Sequence, residues 1–130
     1  MEQKVVLCID DDIRDLELQK EALEQAGYRV IAVDDARVGV AMFMTHDVDL
    51  VLLDFNFPKT DGGIIADEMR RRKPEVPIAL VSGYMNEAVK VAPSVDLLFE
   101  KPLEAEELAV RIEKILRERA ELEAQNQRRA

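Results

Sequence analysis

The run Leu50-Val51-Leu52-Leu53 is apolar at every position and stops on Asp54, with Phe55-Asn56-Phe57-Pro58 and Lys59-Thr60-Asp61-Gly62-Gly63 directly behind it. A run this short, apolar on both alternating faces and bounded by turn residues, reads as a strand buried on both sides. Parallel sheets covered by helices bury strands in that way. Asp54 then stands at the strand's C-terminal tip, where open α/β sheets place their ligand sites.

The rest of the chain repeats the pattern. Val5 to Ile9 is a continuous apolar strand closed by Asp10-Asp11-Asp12. Ile13 to Ala26 reads as a helix with Ile13, Leu16, Leu23 and Ala26 on one face, Asp12 as its cap and Gly27 as its stop. Tyr28 to Val33 is a Val/Ile-rich strand. Ala36 to Met44 carries both a strand signal (Val38-Gly39-Val40) and a helical face (Ala36, Val40, Phe43, Met44), and the alternation around it selects a helix. His46 and Asp47 follow in a loop. Asp61 is placed to cap a helix over Ile64 to Lys73, whose closing Arg70-Arg71-Arg72-Lys73 complements the helix dipole and reads as a solvated face. Ile78 to Val81 and Leu97 to Phe99 are the fourth and fifth strands, with a short helix over Asn86 to Val91 cut off by Pro93. A long last helix begins near Glu104, and the polar tail from Gln125 to Ala130 is expected to fray. Five strands alternating with five helices give an α/β chain. Its expected form is a flavodoxin-like, doubly wound, five-stranded parallel sheet of order 2-1-3-4-5.

With 130 residues the chain suits one domain, and 48% hydrophobic against 35% charged residues gives it a core. A net charge of -9 excludes direct nucleic-acid binding as its main work and adhesion to anionic membranes. Cys8, the single cysteine, lies inside the first strand as core filler and leaves no intrachain disulfide. The N-terminal apolar run is too short for a signal peptide or a membrane span, so the expected location is cytoplasmic.

In that fold the tips of strands one, three, four and five meet at one crevice, bringing together Asp10, Asp11, Asp54, Ser82 and Lys101. Converging carboxylates repel one another, and a divalent cation relieves the repulsion. An all-oxygen cluster with few protein ligands suits Mg²⁺. A carboxylate nucleophile with a metal, a lysine and a hydroxyl is equipped to receive a phosphoryl group.

The residues Asp10-Asp11 after an apolar strand, Asp54 through Pro58 with Asp61-Gly62, Val81-Ser82-Gly83 and Lys101-Pro102 resemble a response-regulator receiver domain of two-component signalling, of the single-domain chemotaxis type. The resemblance runs from Lys4 to about Leu116 and implies a role for each matching position. Asp54 is the phosphoacceptor, served by a histidine kinase or a phosphotransfer protein. Asp10, Asp11, Asp54 and the backbone carbonyl of Asn56 hold Mg²⁺, Asp10 partly through water. Ser82 hydrogen-bonds the phosphoryl group, Lys101 pairs with one of its oxygens, and the bond from Lys101 to Pro102 is cis in many relatives. The protein is then a signalling phosphoacceptor, not an enzyme beyond its own phosphorylation and dephosphorylation, and it switches a contact surface for a downstream protein.

Departures from the family pattern bear on output. Leu98 stands where the family carries an aromatic switch, with Phe99 as the neighbouring aromatic. The segment from Ser82 to Lys101 is short, so the fourth helix is expected to be short or distorted. Tyr84 is bulky where side chains govern water access to the phosphoryl group, which implies slow hydrolysis.

Other readings are weaker. A Mg²⁺-dependent aspartyl phosphohydrolase needs a second carboxylate two residues after the nucleophile, where Asn56 stands, and a cap for its substrate. A flavin site would not place three aspartates after the first strand. A receiver-like interaction domain that is never phosphorylated stays open because of Leu98. The expected division is a receiver domain over 1–118 and a helical extension over 119–130, in a stand-alone receiver or a piece of a longer chain. Leu108, Ile112, Ile115, Arg119 and Leu122 are spaced for a dimeric coiled coil or a linker, Arg119 weighing against the coiled coil.

Overall fold

The computed structural model describes residues 3–83 and 94–129. Along them run β1 (Val5–Ile9), α1 (Ile13–Gln25), β2 (Arg29–Val33), α2 (Ala36–Thr45), β3 (Leu50–Asp54), α3 (Gly62–Arg72), β4 (Ile78–Ser82), β5 (Leu97–Glu100) and α4 (Ala105–Arg129). The strands form one sheet of order β2-β1-β3-β4-β5, all pairs parallel, as the alternation predicts. Four helices are described; the helix predicted over Asn86 to Val91, with Tyr84 and Pro93, lies outside the described residues.

The continuous apolar runs split between two cores because side chains alternate across a strand. Leu7, Ile9, Val51, Leu53, Ile78 and Leu80 face α2 and α3, where Phe43, Ile65, Ala66 and Met69 meet them. Val6, Cys8, Leu50, Leu52, Ala79 and Val81 face α1 and α4, where Leu16, Leu23, Leu108 and Ile112 meet them. The sheet is thus covered on both faces, and its buried polar residues Asp10, Asp54 and Ser82 stand at strand ends.

Local chemistry sets the helix starts. The carboxylates of Asp12, Asp35 and Asp61 each accept backbone N–H groups at the first turns of α1, α2 and α3. Gly27, at φ 99°, turns the chain out of α1 just past its cap. The face of α1 differs from the expected one. Its buried residues are Leu16, Gln19, Ala22 and Leu23, while Ile13 is 50% exposed. A polar Gln19 therefore occupies a core position, because it reaches Asp10.

The tail differs as well. Helix α4 is continuous to Arg129, through the polar stretch from Gln125, in a run of Glu, Ala, Gln and Arg with high helix propensity. Its residues past Arg119 are exposed as far as they are described. Arg119 itself, placed by spacing in a coiled-coil seam, donates instead to Asp96 Oδ1 at 2.6 Å. Arg70 donates to Asp96 Oδ2 at 2.5 Å, and the Ile78 backbone N–H to the same oxygen at 2.8 Å. This clamp ties α3, the start of β5 and α4 together at the end of the sheet opposite the Asp54 tip.

Gly62 fixes how closely α3 approaches β3. A Cβ there would lie 2.5 Å from the Asp54 carbonyl oxygen and 2.8 Å from Phe55 Cα, backbone atoms that have nowhere to go. At Gly39 the crowding atoms belong to the flexible Ile9 side chain, the nearest at 2.5 Å. Gly62→Ala is therefore expected to destabilise the protein by about 1–3 kcal/mol, with Gly39→Ala costing less. Chemical denaturation of both variants checks the order.

Candidate functional site

Asp54 closes β3, one residue beyond Leu53, and Ser82 closes β4. Asp10 follows β1 directly, its N–H donating to the Val33 carbonyl at 3.2 Å. Lys101 follows β5, its N–H donating to the Ser82 carbonyl at 2.9 Å. The parallel register carries these positions to one edge, and the side chains of Asp10, Asp54 and Lys101 meet there. Carboxylate oxygens of Asp10, Asp11 and Asp54 lie within 4.8 Å of one another. Lys101 Nζ stands 3.3 Å from Asp54 Oδ1 and 3.5 Å from Asp10 Oδ2. Asn56 pairs with Asp61 across the loop just past Asp54. The bond between Lys101 and Pro102 is cis.

Burial separates the members. Asp10 and Ser82 are fully buried and Asp54 is 3% exposed, whereas Asp11 is exposed. The protein itself satisfies Asp10: the Asp12 N–H donates to Oδ1 at 2.9 Å and Gln19 Nε2 to Oδ2 at 3.0 Å. Asp54 Oδ1 is buried with no hydrogen-bond partner among the described residues, since Lys101 pairs with it by charge without an aligned bond. Burial and the neighbouring Asp10 charge push the Asp54 carboxyl up to about 7, with Lys101 opposing. Burial also raises Asp10, against its bond from the Asp12 N–H. Burial disfavours the Lys101 charge, but its bond to Asp15 and the charges of Asp10 and Asp54 outweigh this and raise it. A buried carboxylate oxygen without a donor, beside two more carboxylates, fits a hard divalent cation with oxygen ligands.

The residues gathered by sequence reasoning are therefore brought together, but it missed two of their neighbours. Asp15 accepts from Lys101 Nζ at 2.8 Å, the shortest contact that lysine makes in the cluster. Gln19 orients Asp10. The signal was present: Asp15 and Gln19 are one turn apart on α1, and Gln19 is a polar residue within the buried stripe of Leu16 and Leu23. Leu98 and Phe99 point to opposite sides of the sheet. Leu98 packs with the α2/α3 core, and Phe99 lies in the α1/α4 core with the Arg111 guanidinium 4.4 Å over its ring. Phe99 therefore does not replace the absent aromatic at position 98. His46 caps the end of α2 within reach of the Met42 carbonyl, remote from the cluster in the fold.

The model of the family described as the response regulator receiver domain matches residues 6–113. The chain is similar to a CheY-like receiver domain protein from Methanospirillum hungatei JF-1, at 26% identity and a TM-score of 0.85 over 92% of this chain and 98% of that one. It is also similar to the response regulator TrrA of Thermotoga maritima, solved in complex with Mg(2+)-BeF, at 27% identity and a TM-score of 0.81 over 86% and 98% of the two chains. Among curated proteins it is 33% identical to the transcriptional regulatory protein RprY of Bacteroides fragilis, over 88% of this chain and 49% of that protein. It is 32% identical to the alkaline phosphatase synthesis transcriptional regulatory protein PhoP of Bacillus subtilis, over 93% and 51%. The chain spans about half the length of the curated relatives it matches. No helix among the described residues is long and apolar enough to cross a membrane.

Ionising Asp54 is harder in the fold than in the unfolded chain. The metal-free protein therefore loses stability as pH rises from the ordinary carboxylate range through about 7, and the whole penalty is present above that. Asp54→Asn removes it. In chelator at about pH 8 this variant is expected to be more stable than wild type by about 1–3 kcal/mol, the gain shrinking towards about pH 4. Thermal unfolding at the two pH values checks the sign and the trend.

Proposed function

Because the chain belongs to the response-regulator receiver family, we propose that it is a phosphorylation switch whose acceptor is Asp54. The observation that carries this reading is the Asp54 carboxylate. It is buried at a strand tip, one oxygen has no hydrogen bond among the described residues, two further carboxylates adjoin it, and Lys101 stands 3.3 Å away. A carboxylate held only for structure would have its lone pairs filled by donors, as Asp10 has.

In the proposed reaction a phosphohistidine on a histidine kinase or phosphotransfer protein is the donor. An Asp54 oxygen attacks phosphorus, the P–N bond to the imidazole breaks, and the released imidazole takes up a proton. Lys101 pairs with a phosphoryl oxygen, and the Ser82 hydroxyl donates to another. Asp10, Asp11, Asp54 and the Asn56 carbonyl would hold Mg²⁺, which when bound neutralises carboxylate and phosphoryl charge. Gln19 and the Asp12 N–H keep Asp10 in place. The proposed setting is cytoplasmic. Output runs through contact with a downstream protein, since a net charge of -9 disfavours direct contact with DNA. The proposed division is a receiver domain over 1–118 and a helical extension over 119–130, supported by the exposure of α4 past Arg119. An unphosphorylated interaction domain is the second reading, favoured by Leu98 in place of the aromatic.

Acetyl phosphate with Mg²⁺ is expected to add one phosphoryl group to wild type and none to Asp54→Asn, read by intact mass. Lys101→Ala is expected to slow the reaction by about 10²–10³-fold. A wild type without adduct rejects the acceptor reading.

A further inference from the structure

Lys101 makes its closest contact with Asp15 rather than with Asp54. Its ammonium donates to Asp15 Oδ2 at 2.8 Å, against 3.3 Å to Asp54 Oδ1 and 3.5 Å to Asp10 Oδ2. Of the three contacts only that to Asp15 is an aligned hydrogen bond, and Asp54 Oδ1 is left without one. We propose that Asp15 is a positioning residue that holds Lys101 off Asp54, keeping the acceptor carboxylate open to a cation and the lysine ready for an incoming anion. This rests on the acceptor reading of Asp54.

The three pairs differ in how easily they separate. The Asp15 side chain is 39% exposed, while those of Asp54 and Asp10 are 3% and 0% exposed. When Lys101 leaves Asp15, water takes its place, so the partly exposed pair separates with little penalty. A lysine settled wholly on buried Asp54 would leave an uncompensated buried charge whenever it moved, and would oppose a metal at the same oxygen. Asp15 is the carboxylate able to draw the ammonium outward. It lies in the first turn of α1, close to Asp10 and Asp11, and Lys101 spans from it to Asp54 across the crevice.

The test needs neither phosphate nor metal. The Lys101 ¹⁵Nζ and Asp54 ¹³Cγ signals are followed by NMR in chelator at fixed pH, in Asp15→Asn and in Asp34→Asn as a charge control. Asp34 lines the groove beside Asp11 and is not among the carboxylates Asp10, Asp15 and Asp54 that pair with Lys101. The expected result is that Asp15→Asn shifts both signals together and Asp34→Asn shifts neither. In a Lys101→Ala or Lys101→Gln background, Asp15→Asn should leave the Asp54 signal where it was. Unmoved signals in Asp15→Asn overturn the proposal, as does an equal Asp54 shift without Lys101, since that is a through-space charge effect. A calorimetric Mg²⁺ titration adds a second measurement. Asp15→Asn is expected to bind Mg²⁺ about two- to fivefold more weakly than Asp34→Asn, and equal affinities count against the proposal. A wild type that takes no phosphoryl group would reject the acceptor reading alone, because the NMR result stands without it.

Discussion

Among the described residues, one cation, Lys101, is shared among more carboxylates than it can neutralise. Asp10, Asp11 and Asp54 bring oxygens within 4.8 Å of one another, and Lys101 reaches Asp10, Asp15 and Asp54. Two of these acids are almost fully buried, where charge is hardest to hold. The cluster therefore stores an electrostatic demand that the described residues do not meet by themselves. That demand explains the raised Asp54 carboxyl, its unpartnered oxygen and the fit to a divalent cation.

The fold makes this strain affordable. Strands β1, β3 and β4 are apolar along almost their whole length and are covered on both faces, so their order does not depend on what stands at their tips. Register then delivers Asp10, Asp54, Ser82 and Lys101 to one edge. Gly62 lets α3 close against the Asp54 backbone. The Asp96 clamp secures the other end of the sheet, joining α3, β5 and α4.

The sheet order and the acid–lysine crevice were legible because both follow from one-dimensional patterns: short apolar runs, and the residue that ends each. What stayed hidden depends on side-chain reach. Asp15 read as one more helix charge, yet it is the nearest partner of Lys101. Gln19 broke an apolar stripe for a reason visible only once Asp10 lay beside it. Ile13 satisfied the helical spacing but lies to one side of the face that Leu16, Gln19, Ala22 and Leu23 bury, so it remains exposed. Arg119 fitted a heptad seam and is instead turned onto Asp96 by a contact far away in sequence. The opposed directions of Leu98 and Phe99 follow from strand alternation, which the sequence already contained.

The most direct measurement is a calorimetric Mg²⁺ titration of wild type and Asp54→Asn at neutral pH. If the cluster is held in demand of a cation, wild type binds a single Mg²⁺ saturably and Asp54→Asn loses most of that affinity. Flat heats for wild type, or equal binding by the two proteins, would contradict the account.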